Sequence, residues 1–146
     1  VMPLVASRYR SHEDPEHTGL GGASYGGLMA LYAVIHRPGT WGRLLIESPG
    51  LYVDGAAVLR EAEASEGWPR KVFLGVGTNE EGRAECDAGD RTSEAVRDVL
   101  RLESILRRRG LSHDRLRLQI VPCARHDEGA WRARFPGALR FLYGSE

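Results

Sequence analysis

TGLGGASYGGLMALYAVIH, residues Thr18 to His36, passes from a glycine-rich strand (Thr18–Ala23) directly into a helix (Ser24–His36). Gly22-Ala23-Ser24-Tyr25-Gly26 within it fits G-x-S-x-G, a pattern that has meaning only between a strand and a helix. A serine on such a turn sits in a strained conformation. Glycines two before and two after let the neighbouring elements pass closely. The hydroxyl then projects at a helix N-terminus, where the dipole and free N–H groups favour developing negative charge. The plainer reading is a glycine-rich turn with a serine capping a helix. The helix is apolar almost all round (Leu28, Met29, Leu31, Tyr32, Val34, Ile35), which predicts burial, and Pro38 ends it.

Outward from this stretch, short apolar runs alternate with helical patterns, the signature of an α/β fold with a parallel sheet. Upstream, Val1–Arg10 carries a helical stripe (Val1, Met2, Val5, Tyr9), and the polar SHEDPEHT reads as a loop. Downstream come strands at Arg43–Glu47, Lys71–Val76 and Arg115–Val121. The last alternates Arg, Leu and Gln, as expected of a strand solvated on one face at a sheet edge. Helices are expected at Ala56–Ser65, at Thr92–Arg109 with Gly110 as its stop signal, and at Glu128–Tyr143, bent or split by Pro136. These four strands are expected to form a parallel sheet flanked by helices. No internal linker is visible, so residues 1–146 read as one domain.

Composition narrows the classes. Of the 146 residues, 42% are hydrophobic and 27% charged, ordinary for a globular chain rather than a disordered one. Twenty basic and twenty acidic residues cancel, so the footprint of a nucleic-acid binder is missing. Lys71 is the only lysine. No run approaches the roughly 18 apolar residues of a membrane span, and no signal peptide opens the sequence, so neither a membrane nor nucleic acid is expected as partner and the cytoplasm is the default compartment. Two cysteines are too few for a disulfide scaffold and do not have zinc spacing. Cys86 falls in the loop after the third strand and Cys123 at the end of the next, so they are expected to be neighbours, either bridged or as two reduced thiols.

Two further segments carry chemistry. His126, in CARHDE, follows the last strand by a few residues, where a parallel sheet would present a general base. His12, His17 and His113 lie in polar loops or turns, and His36 ends the first buried helix, a favourable place for a cation. Glu80 and its neighbour Glu81, in GTNEE after the third strand, could orient the histidine and stabilise its cationic form. An ordinary acidic loop is the alternative. The order Ser24, Glu80, His126 is that of the α/β-hydrolases, and all three follow strands, where sites form in parallel sheets.

These features resemble the esterase family of α/β-hydrolases that includes enterochelin-type siderophore esterases, feruloyl esterase domains and mycolyltransferases. The resemblance runs through Tyr9-Arg10, GGASYGGLMALYAVIHRP (Gly21–Pro38), Trp41-Gly42, Glu47-Ser48-Pro49 and GVGTNE (Gly75–Glu80). It continues to His126 with Glu128, Trp131 and Phe135, and ends at Leu139-Arg140-Phe141-Leu142. It implies Ser24 as nucleophile, His126 as general base, Glu80 as the acid with Glu81 as runner-up, and the Tyr25 N–H in the oxyanion hole. It implies no metal and no organic cofactor. Relatives place several strands before the elbow, and a loop there supplies the second oxyanion-hole donor. Only 23 residues precede Ser24 here. The chain therefore resembles the C-terminal half of the fold, with about four parallel strands in chain order: a minimal hydrolase, a fragment, or a protein completed by a partner. Two functions follow. One is a serine carboxylesterase acting on small ester substrates through an acyl-enzyme, with acyl transfer as its variant. The other is a catalytically silent α/β-hydrolase-like binding module. The open side of the elbow strand predicts a homo-oligomer, most simply a dimer, or a complementing N-terminal segment.

Overall fold

The apolar runs become four parallel strands in the spatial order β1 (Gly19–Ala23), β2 (Arg43–Glu47), β3 (Lys71–Gly77), β4 (Leu116–Val121), which is also their order in the chain. This is the computed structural model of the protein, and it describes residues 2–12 and 14–144. The strands align Gly22 with Ile46, Ile46 with Leu74, and Leu74 with Leu118. Their C-terminal ends therefore finish together along one edge of the sheet.

Helices cover both faces. α2 (Tyr25–His36), α3 (Val53–Ala64) and α4 (Glu94–Arg108) pack on one face, and α5 (Glu128–Tyr143) on the other. The alternation of strand side chains decides which residue meets which layer. Leu44, Ile46, Val72, Leu74 and Val76 join the α2–α4 core, whereas Phe73 and Leu45 meet Ala138, Phe141 and Leu142 of α5. Phe73 is wholly buried, a contribution of about 1.5–3 kcal/mol from removal of its ring from water. α4 is the most regular amphipathic helix. Ser93 caps it by accepting from the Val96 N–H, Glu94 opens it, Arg107 and Arg108 close it, and Gly110 follows with φ 91°. In α3 the residues Asp54, Gly55 and Ala56 are left-handed, so regular helix starts after them. Pro136 lies inside α5 without splitting it.

One expectation is corrected. The helix after the elbow is not buried all round. Tyr25, Met29 and Tyr32, spaced by four and three residues, form an exposed stripe, while Gly27, Ala30, Leu31 and Val34 face the core. The first helix is observed as α1 (Met2–Arg8), and Leu4, Val5 and, just beyond it, Tyr9 are exposed. Val1 and the Met2 side chain of the expected stripe lie outside the described residues. β4 sits at a sheet edge as its alternation predicted, and β1 forms the opposite edge. Beside β1 a groove of about 550 Å³ runs between that strand and α5, with Leu20, Phe135, Leu139 and Tyr143 on its walls. No helix among the described residues is long and apolar enough to cross a membrane.

Candidate active site

Each strand delivers one polar side chain to the same edge: Ser24 after β1, Ser48 after β2, Glu80 after β3 and His126 after β4. Ser24 sits at φ 55°, ψ −126°, outside the conformations an L-residue adopts without strain, at a cost on the order of 1–3 kcal/mol. Its N–H donates to the Glu47 carbonyl (2.9 Å), and its carbonyl accepts from Leu28 (3.1 Å) and Gly50 (3.3 Å). These bonds hold the strained turn. The side chain makes no capping hydrogen bond to α2, so the plainer reading of a helix cap does not describe it. The flanking glycines are not equivalent. A Cβ on Gly22 would strike the backbone of Gly26, whereas a Cβ on Gly26 would meet nothing. The close approach is demanded of Gly22 alone.

Glu80 is almost fully enclosed, with a side chain 5% exposed. One carboxylate oxygen, Oε2, lies 2.7 Å from Nδ1 of His126. The other, Oε1, accepts from the Ser48 hydroxyl (2.7 Å) and from the Gly77 N–H. Glu81 turns outward to Arg83, with Oε2 accepting from Nε at 2.8 Å. Of the two adjacent acids, the turn after β3 therefore brings Glu80 to the histidine. The His126 ring stands edge-on to Trp131, with centroids 5.2 Å apart.

The two loops are fastened together. Asn79 N–H donates to the Ala124 carbonyl (3.1 Å), and Cys123 N–H to the Thr78 hydroxyl (2.8 Å). A Cβ on Gly77 would collide with the Ala124 backbone, so this contact is possible only for glycine. Cys86 and Cys123, expected as neighbours, are bridged by a disulfide with Cα atoms 5.7 Å apart. Ser24, Tyr25, Ser48, Tyr52, Glu80 and His126 line one cleft of about 430 Å³. The Tyr25 and Tyr52 hydroxyls meet across its rim at 3.2 Å.

Beneath the cleft lies an ion pair absent from the sequence reading. Arg134 of α5, 2% exposed, donates from Nε to Oε2 of Glu47 (2.7 Å), and Glu47 is 4% exposed. Burial pushes the Glu47 carboxyl up, and the guanidinium beside it pulls the other way. Arg134 Nη2 and the Trp131 indole N–H both reach the Ser48 hydroxyl. The available signal was spacing: Trp131 and Arg134 are three apart on one helix, hence on one face.

The other histidines stand apart. His36 pairs with Glu61 of α3 at 2.9 Å rather than with its own helix end, and His113 lies in the turn before β4. His12 and His17 share an exposed turn with Asp14, their ligand-type atoms within 4.8 Å of one another. That turn precedes β1, at the opposite end of the sheet from Ser24.

Parallel strands carrying a serine elbow, then an acid, then a histidine at their carboxyl ends are the arrangement of an α/β-hydrolase. The chain belongs to the family described as "Putative esterase", which it matches over residues 1–142. It is 27% identical over 143 residues to "Uncharacterized protein YbbA" of Bacillus subtilis (strain 168), covering 98% of this chain and 56% of that one. In structure it is similar to the enterobactin esterase of Shigella flexneri, with a TM-score of 0.78 at 22% identity over 98% of this chain and 35% of that one. It is also similar to the siderophore hydrolase EstB of Aspergillus nidulans, with a TM-score of 0.73 at 23% identity over 96% of this chain and 53% of that one. The chain thus spans between a third and somewhat over half the length of these relatives.

Proposed function

We propose that this chain carries the catalytic residues of a serine carboxylesterase acting on small esters. The observation that carries the reading is the 2.7 Å contact between Glu80 Oε2 and His126 Nδ1, in a cleft that also holds the strained Ser24. An ionised carboxylate only accepts, so the neutral imidazole carries its proton on Nδ1 and a lone pair on Nε2. Ser24 Oγ attacks the ester carbonyl carbon and gives its proton to Nε2. The carbonyl oxygen becomes an oxyanion. As first residue of α2, Tyr25 has an N–H that no intrahelical carbonyl takes up, and it donates to that oxyanion. Collapse breaks the C–O bond to the alcohol, which leaves with the proton from His126. Water, activated by the same imidazole, then hydrolyses the acyl-enzyme, and Glu80 remains ionised throughout. An alcohol in place of water gives acyl transfer.

Siderophore esters enter as a substrate class through the relatives named for them. The open edge of β1 and the apolar groove beside it favour a complement there, either a second copy of the chain or a preceding segment, which would also bring the second oxyanion donor. The Cys86–Cys123 bridge favours an oxidising compartment over the cytoplasmic default. The test is hydrolysis of a short p-nitrophenyl ester beside Ser24→Ala. The proposal requires Ser24→Ala to lower kcat by several orders of magnitude. A chain without activity, or one whose activity survives Ser24→Ala, points instead to a binding module.

A further inference from the structure

Ser48 has a strained backbone and a fully engaged hydroxyl. It is buried, at φ 41°, and is held by its N–H on the Gly75 carbonyl at 2.7 Å. Its hydroxyl has three polar neighbours: Glu80 Oε1 at 2.7 Å, Trp131 Nε1 at 3.1 Å and Arg134 Nη2 at 3.2 Å. An indole N–H and a guanidinium can only donate. Both must therefore use the lone pairs of the Ser48 oxygen, and its single proton has one acceptor left, Glu80 Oε1.

That proton and the Gly77 N–H together engage both lone pairs of Oε1. The carboxylate cannot rotate without giving up both bonds, so Oε2 stays on His126. Arg134 cannot drift either, because Glu47 holds its Nε inside the fold. We infer that Ser48 is a positioning residue. With its own hydroxyl oriented by Trp131 and Arg134, it locks Glu80 in the rotamer that keeps His126 in the Nδ1–H tautomer. Its effect on rate rests on the esterase reading above. Its effect on the tautomer does not.

The experiment pairs ¹⁵N NMR of the neutral imidazole with steady-state hydrolysis, on the whole chain, for the wild type, Ser48→Ala and Trp131→Phe. Alanine keeps the steric demand at φ 41° and removes only the hydroxyl. In the wild type His126 is expected as one tautomer, with a slowly exchanging Nδ1 proton. In Ser48→Ala both tautomers should populate, and kcat should fall about ten- to a hundredfold while KM stays within about twofold. That is short of the roughly ten-thousandfold loss that follows when the orienting acid itself imposes the wrong tautomer. Trp131→Phe keeps the ring beside His126 but removes one donor, and a smaller change in the same direction is expected. It carries the test if Ser48→Ala does not fold. A single unchanged tautomer in the folded variants overturns the inference. A tautomer that Ser48→Ala scrambles, together with hydrolysis that Ser24→Ala leaves intact, upholds the positioning and overturns the esterase reading. The converse pair of results does the reverse.

Discussion

Removing the Cys86–Cys123 bridge, as Cys86→Ser/Cys123→Ser or by reduction, should cost the protein a large part of its stability. The bridge joins residues 37 apart and closes a loop that contains all of α4 and β4. In the chain-entropy model a loop of that length removes about 13 cal/mol/K from the unfolded chain, or about 4 kcal/mol at 25 °C. Domains are stable by only about 5–15 kcal/mol, so this is no small share. Urea unfolding of the oxidised protein, the reduced protein and the double variant measures it. With a slope of about 2 kcal/mol/M, the midpoint should fall by roughly 2 M. Activity within the folded range should change less, because Asn79–Ala124 and Cys123–Thr78 still fasten the two loops. Superimposable curves before and after reduction would mean that the bridge adds no such stability, and two free thiols found under denaturing, non-reducing conditions would mean that it does not form.

Arg134→Met should cost about 3–5 kcal/mol, since it strands the buried Glu47 carboxylate. Burial already raises the Glu47 pKa, and without Arg134 it rises further. An acid whose folded pKa is raised contributes stability at low pH that is lost as pH climbs through the folded value. The gap between variant and wild type in urea should therefore widen from pH 5 to pH 8; an equal gap at both would contradict the assignment. Glu80→Gln should cripple ester hydrolysis while Glu81→Gln leaves kcat within about threefold, because only Glu80 reaches His126. The reverse order would move the acid by one residue. Light scattering coupled to gel filtration should find the active chain self-associated or bound to a complement along β1; an active monomer would defeat that expectation.

The strand-to-helix turn at Ser24 and the positions of the main elements were legible because both are local, whereas the sheet order came from the resemblance. G-x-S-x-G needs five residues, and period-two and period-3.6 patterns need a dozen. Local patterns alone could not separate Glu80 from Glu81, which only the resemblance ranked, since which of two adjacent carboxylates faces the cleft is set by the turn after β3. Nor could the exposed stripe of α2 be seen, because Tyr25, Met29 and Tyr32 are as apolar as the residues that face the core. The least legible feature was the support of the site. Arg134 meets Glu47 and Ser48 across 87 and 86 positions of chain, only because α5 returns over the second face of the sheet. An arginine on a helix otherwise reads as a solvated surface charge.

The proposed esterase chemistry requires Ser24 to be an activated nucleophile. The direct measurement is intact-mass detection of a fluorophosphonate adduct, followed by mapping of its site. One adduct per chain on Ser24, greatly slowed in His126→Ala, is the predicted result. An adduct on Ser48 or Ser112, or none on the correctly folded chain, would contradict it.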